Sequence, residues 1–470
     1  LQRFKRYGAL LLAAWLASCA HYPLNDELKR HDESSGYRFS LSAADADNTD
    51  SLFVCLAFSG GGTRAAALSY GVLKKLAAIK IEWEGKPKSL LEEVDCISSV
   101  SGGSFTAAYY TLFRGRVFTE FPDRFLYRNI QKELISRLFN PINLARILSP
   151  YYGRIDLAAD LYHDSVFEKK TFGELLAANR RPYLILNATN LALGERFEFT
   201  QDQFDVLGSD IGSYPIARAV AASSAFPFLL SPVSLKNQPK PENYQRPLEF
   251  KNALDDFENN RRRYEWAQNQ ILYEDKANHP FVHLMDGGLA DNLGVRFISD
   301  SFRRGTIREL INNGKIKRLV IIIVNAGTEP PEDLDKKESP PGLGAVAFKV
   351  ATISMDNYTF ETVEMMKELR NGRLQAQRAI TDCQGILDKV KKACPSVKPL
   401  PPLAGGGLEP FVVDINFQSL TEDPQRRTYF LSLPTSFSLE RRQVDDLVAV
   451  GAELLEKSPE FKNFMDSLKP

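Results

Sequence analysis

The chain has 470 residues, 44% of them hydrophobic and 25% charged, with 59 basic side chains against 59 acidic ones. That length suits one large α/β domain with insertions, or two domains. The balanced charge and the lack of a basic block interleaved with aromatics exclude an electrostatic nucleic-acid footprint, and no Cys/His spacing suits zinc.

The balance conceals an uneven start. The first eighteen residues carry Arg3, Lys5 and Arg6 and no acid. A short apolar run over 9–17 follows, below the roughly 20 residues that span a bilayer. A basic segment before a short apolar one is the pattern of a secretory signal. It ends in Leu16-Ala17-Ser18-Cys19, which resembles the lipobox of bacterial lipoproteins. The resemblance implies that residues 1–18 are removed and that Cys19 is lipidated, anchoring the protein to a membrane of the bacterial cell envelope. Ala20, rather than Asp, after that cysteine resembles the outer-membrane sorting pattern. Residues 19–50, rich in Asp, Ser and Asn, read as a polar tether.

The globular part is expected to begin at residue 51. Residues 51–58 (S-L-F-V-C-L-A-F) are a continuous apolar run, as in a strand buried on both faces. Ser59-Gly60-Gly61-Gly62-Thr63-Arg64 follows, then a predicted helix over 65–78 and a strand over 94–100, in outline a βαβ unit. Phe125, Leu126, Ile130, Leu134 and Leu138 share one predicted helical face, read as core packing rather than a lipid-facing lid. Further strands are expected at 182–189, 281–285, 318–324 (R-L-V-I-I-I-V) and 410–417, with helices at 216–224, 345–381 and 438–457. Residues 236–280 form a charged insertion with a helix around 254–268. Residues 330–341 read as an acidic loop, and 398–407 as a Pro/Gly linker. Strands alternating with helices imply a mostly parallel sheet covered on both faces: an α/β/α sandwich over 51–330, and a helical extension over 331–470 packed on the same domain. Cys55 and Cys96 are expected as free thiols in core strands. Cys383 and Cys394 are close enough in sequence to close a short disulfide loop in an oxidising compartment.

Three stretches carry chemistry. In Ile97-Ser98-Ser99-Val100-Ser101-Gly102-Gly103-Ser104 a predicted strand turns into a helix through small residues, the shape of a G-x-S-x-G nucleophile elbow with Ser101 at its tip. Gly103 supplies the second elbow glycine, and Ser99 stands in place of the first. Gly60-Gly61-Gly62 opens a helix, where amides can face a negative oxygen. Gly60-x-Gly62-x-x-Ala65 also satisfies a dinucleotide fingerprint, but no acid ends an apolar strand about 20 residues on. An oxyanion hole is therefore the better reading. The third stretch is His283-Leu284-Met285-Asp286-Gly287-Gly288, an apolar strand ending in an acid at what is expected to be the C-terminal edge of the parallel sheet. None of the five histidines follows Asp286, and His283 points to the opposite strand face. A Ser101–Asp286 dyad, with Asp286 as direct general base, is the economical hypothesis.

This set resembles the patatin-like phospholipase family, whose pattern is a Gly-Gly-Gly-x-Arg loop, a G-x-S-x-G elbow and an Asp-Gly-Gly motif in that order. Gly60, Gly61, Gly62 and Arg64 match the loop, Ser101 and Gly103 the elbow, and Asp286, Gly287 and Gly288 the acid motif. Asn187-Ala188-Thr189 and Ala222-Ser223-Ser224-Ala225-Phe226-Pro227 resemble internal blocks of the same family. The resemblance implies a patatin-like sandwich and hydrolysis of phospholipid or other acyl esters by a Ser-Asp dyad, with no cofactor and no metal. It assigns Arg64 to supporting the loop or meeting a lipid phosphate. The rival reading is a non-catalytic lipid-binding or scaffold lipoprotein that keeps the fold.

Overall fold

The computed structural model describes residues 20–44, 48–329, 338, 340–396, 398, 408 and 410–469. Eight strands build the central sheet: β1 (Leu52–Phe58), β2 (Val94–Val100), β3 (Tyr183–Asn190), β4 (Glu195–Glu198), β5 (Val233–Lys236), β6 (Phe281–Asp286), β7 (Arg318–Asn325) and β8 (Pro410–Asn416). Their order is β8-β7-β1-β2-β3-β6-β5, with β4 also paired to β3. The five strands from β8 to β3 are parallel. Every residue of β1 and β2 is buried, as the unbroken apolar run of β1 requires for a strand covered on both faces.

The helices that matter for the site are α1 (Gly62–Ala78), α2 (Gly102–Phe113), α3 (Ile130–Leu138), α4 (Pro141–Ile147), α5 (Arg154–Ser165), α6 (Ile216–Ser223), the single turn α7 (Gly288–Asp291), α8 (Val295–Arg304), α9 (Leu343–Ala393) and α10 (Arg441–Lys457). Alternate residues of β1 show the two covered faces. Phe53 meets Phe39, which in turn meets Phe297 of α8. Phe58 points the other way, against Gly103 of α2. This is a three-layer α/β/α sandwich.

Five expectations are corrected. β6 runs antiparallel to β3, with Asp286 opposite Ala188, so Asp286 enters the crevice from the direction opposite to Ser101. The segment expected as a tether is folded onto the domain from Ala20: Asp26–Glu27 pairs with Ser209–Asp210, and Tyr37, Arg38 and Phe39 are buried. The Arg38 guanidinium is taken in by Asp202 and Asp205, which is how a polar segment enters a core. Cys55 and Cys96 are neighbours in register on β1 and β2 and form a disulfide, while Cys383 and Cys394 are free and exposed. Residues 125–138 are not one helix: Phe125, Leu126 and Ile130 are buried, but the helix restarts at Ile130, and Leu134 and Leu138 are only half-buried. Two helices, Leu248–Leu254 and Arg261–Leu272, replace the one expected within 236–280. Most of the 330–341 loop and of the 398–407 linker lies outside the described residues, as does Cys19.

Candidate active site

At the end of β2 the backbone of Ser101 takes φ 49° and ψ −119°, and α2 starts at the next residue. A non-glycine side chain in that region is strained by about 1–3 kcal/mol, so the turn must be held from outside. Ser223, the last residue of α6, accepts the Ser101 N–H at 2.9 Å and donates to the Asn187 carbonyl at 2.6 Å. Asn187 in turn donates to Ser98 Oγ and to the Ser99 carbonyl. Ser99 fits without loosening the elbow. Fully buried, it donates to the Ile185 carbonyl at 3.3 Å and lies 3.2 Å from Ser104 Oγ. Gly102 is required by close approach, because a Cβ there would lie 1.9 Å from the Gly62 carbonyl oxygen.

Ser101 Oγ donates to Asp286 Oδ2 at 2.8 Å, and the other oxygen, Oδ1, accepts the Gly288 N–H at 2.8 Å. Asp286 is 1% exposed. Burial pushes its carboxyl up to about 7, against the opposing pull of those two hydrogen bonds. The main chain around it is fixed as well: Asp286 N–H donates to Ala225 O, Gly287 N–H to Ser223 O, and Thr189 Oγ1 to the Asp286 carbonyl. Ser223 therefore holds the Ser101 amide through its hydroxyl and, through its carbonyl, the Gly287 amide next to Asp286. No histidine hydrogen-bonds either of them among the described residues. His283 is exposed and meets Ser234 Oγ at 2.8 Å, and His163 sits on α5.

The glycine loop lies against this pair. Gly61 and Gly62 have φ of 133° and 61°, and a Cβ on Gly62 would meet the Ser436 carbonyl oxygen at 2.3 Å. The Gly60 N–H donates to the Asn292 carbonyl at 2.9 Å, so this amide is engaged and not a free oxyanion donor, contrary to its sequence assignment. Among the described residues the N–H groups of Gly61, Gly62 and Gly102 have no acceptor. They lie at the N-termini of α1 and α2, where helix dipoles favour negative charge. Arg64 is buried and gives its donors to the Ala326 and Leu433 carbonyls and to Thr435 Oγ1. It ties the loop to the ends of distant segments and is not turned toward a lipid phosphate. Met355 of α9 packs on Gly288, closing the site on that side.

Sequence reasoning missed Gly102, Ser223, Asn187 and Thr189 as working parts. Gly102 was within reach, since the residue after an elbow nucleophile commonly supplies an oxyanion amide. The others contribute ordinary hydrogen bonds whose partners only the fold reveals. Among the described residues no group of three or more His, Cys, Asp or Glu could hold a metal ion, and no helix is long and apolar enough to cross a membrane.

No curated protein matches the chain. Among solved structures it is similar to human GIVD cytosolic phospholipase A2, at 17% identity and a TM-score of 0.27, over 47% of this chain and 32% of that one. A second structure, of the same human protein with methyl gamma-linolenyl fluorophosphonate inhibitor and terbium chloride, matches at 20% identity and a TM-score of 0.22, over 41% and 26%. The chain thus spans about a third or less of the length of these neighbours. Residues 56–298, just over half of the chain, match the family model described as patatin-like phospholipase. That match supports a lipid acyl hydrolase as the class of enzyme, and the chain belongs to the patatin-like phospholipase family.

Proposed function

We propose that the protein is a serine hydrolase of phospholipid or lysophospholipid acyl esters, held at a bacterial outer membrane by a lipid on Cys19. Ser101 Oγ attacks the ester carbonyl while its proton passes to Asp286 Oδ2. The carbonyl oxygen becomes an oxyanion received by the amides of Gly61, Gly62 and Gly102. Collapse breaks the ester bond; the leaving alkoxide takes the proton from Asp286, and the acyl group stays on Ser101. Water then attacks the acyl-serine, giving its proton to Asp286, and the fatty acid leaves as Ser101 regains a proton.

The observation that carries this reading is the 2.8 Å Ser101–Asp286 hydrogen bond with no imidazole beside it. A carboxylate is a weak base for a hydroxyl, and two features offset that weakness: the rise of Asp286 to about 7, and a cluster of unengaged amides where charge develops. The envelope address draws support from the signal-like N-terminus and from the Cys55–Cys96 disulfide, since such bonds persist in oxidising compartments. A fluorophosphonate probe should label the wild type and not Ser101→Ala. Failure to label a folded wild type would favour the non-catalytic lipoprotein. Cys19→Ser should leave the membrane fraction.

A further inference from the structure

The turn of chain formed by α3 and α4 leaves a large apolar surface uncovered. Ile135, Phe139, Ile142, Leu144, Leu148 and Tyr151 are all exposed, Phe139 by 74%, far from the scattered single residues of an ordinary surface. The patch continues toward the catalytic pair. Arg154 donates to the Phe228 carbonyl at 3.2 Å, and Ile155 N–H to Ser231 Oγ at 3.2 Å. The loop bearing the exposed Phe228 and Leu229 therefore lies against the residues that follow Tyr151. That loop starts just after Ala225, whose carbonyl holds the Asp286 N–H.

Two further observations indicate what covers this surface. Residues 128–154 carry Arg128, Lys132, Arg137, Arg146 and Arg154 against one acid, Glu133, in a chain of zero net charge. Arg128 pairs with Glu133 and Arg146 with Asp160, which leaves Lys132, Arg137 and Arg154 without a carboxylate among the described residues. The other observation is where the N-terminal segment arrives. Ser149 Oγ donates to the Ala20 carbonyl at 2.6 Å, Tyr22 N–H donates to the Tyr151 carbonyl at 2.9 Å, and His21 stacks on the Tyr151 ring. Ala20, the residue that follows Cys19 in sequence, is thereby held at the edge of the exposed patch.

We propose that the α3–α4 surface docks on the anionic phospholipid bilayer that holds the Cys19 lipid, seating the catalytic crevice on the same leaflet. The proposal rests on the anchor reading above. Apolar side chains enter the headgroup boundary, and Lys132, Arg137 and Arg154 meet lipid phosphates, the combination that interfacial helices use.

The test uses the full lipidated chain in vesicles containing one-third anionic phospholipid by design. Cys383→Ser and Cys394→Ser remove the exposed thiols, and a polarity-sensitive dye is placed at Ile142→Cys or, as a control, at Lys315→Cys. Lys315 is exposed and lies just before β7, at the end of the sheet remote from Ser101. The expected result is a blue-shifted emission at position 142, quenched by nitroxide-bearing lipid, with no change at 315. Protein that floats with the vesicles while the 142 dye stays in water overturns the docking and leaves the anchor standing. Protein that does not float overturns the anchor and the docking together. A shift that needs no lipid and grows with protein concentration assigns the surface to a second copy of the chain and overturns the proposal.

Discussion

Replacing Asp286 by asparagine keeps the shape of the side chain and removes its charge, and two opposite effects should follow. The proposed mechanism makes Asp286 the proton acceptor, a role an amide cannot fill, and losing a general base typically costs about 10²–10⁴ in rate. Stability should move the other way. The folded carboxyl is pushed up to about 7 from an ordinary 3.8, so the folded state favours the protonated form. A raised acid contributes stability that is fully present below about 4 and is lost as pH rises through about 7. With about 1.4 kcal/mol per unit, the loss approaches about 4 kcal/mol as an upper bound. The asparagine variant has nothing to ionise. Its stability relative to wild type should therefore grow by up to about 4 kcal/mol between pH 4 and pH 8. Urea unfolding of both proteins across that range, alongside ester turnover, measures the two effects together. An inactive protein that is also more stable at pH 8 identifies a buried base. An active variant, or a stability difference flat with pH, would refute the reasoning. Wild-type turnover should rise with pH through about 7, standing about a hundredfold below its plateau at pH 5.

Other consequences are as direct. His163→Ala and His283→Ala should each stay within about tenfold of wild-type turnover, because neither ring reaches the catalytic pair; an inactive but folded His163→Ala would end the two-residue mechanism. The Cys55–Cys96 bond closes a separation of 41 residues, which corresponds to about 4 kcal/mol of unfolded-chain entropy. Reductant should lower the urea midpoint of the wild type and leave Cys55→Ala/Cys96→Ala unchanged, whereas a wild type insensitive to reductant would mean free thiols. Arg64→Ala strips acceptors of a charged donor, each worth about 1.5–3 kcal/mol, so it should destabilise the fold and depress turnover equally on phospholipids and on phosphate-free esters. A loss confined to phospholipids would restore a headgroup role for Arg64.

Much of the sandwich was legible because buried parallel strands are written as unbroken apolar runs, as in Leu319 to Val324 and Leu52 to Phe58. The direction of β6 was not, since six residues with an acid at the end read alike in either orientation. The 20–44 segment escaped because its average is polar. Its signal was local: Tyr37, Arg38 and Phe39, two aromatics flanking a cation whose partners, Asp202 and Asp205, lie far along the chain. The disulfide was within reach, because Cys55 and Cys96 fall in consecutive strands of one βαβ unit, where neighbouring register brings their Cα atoms to 4.7 Å. In the site, Ser101, Asp286 and the glycine loop stand out by residue type and spacing. Which glycine amides remain unengaged depends on Asn292, and no local pattern announces that.

The glycine turn is also held from the far end of the chain. The Thr63 N–H donates to the Ser436 carbonyl, that same carbonyl leaves no room for a side chain at position 62, and the buried Arg64 guanidinium needs Leu433 and Thr435. The region that matches the family ends at Ile298, so the matched segment alone lacks the clasp that fixes its own glycine loop. The clasp therefore comes from outside the family match: a molecule clipped ahead of residue 433 would keep Ser101 and Asp286 and lose the contacts that set the Gly61 and Gly62 amides.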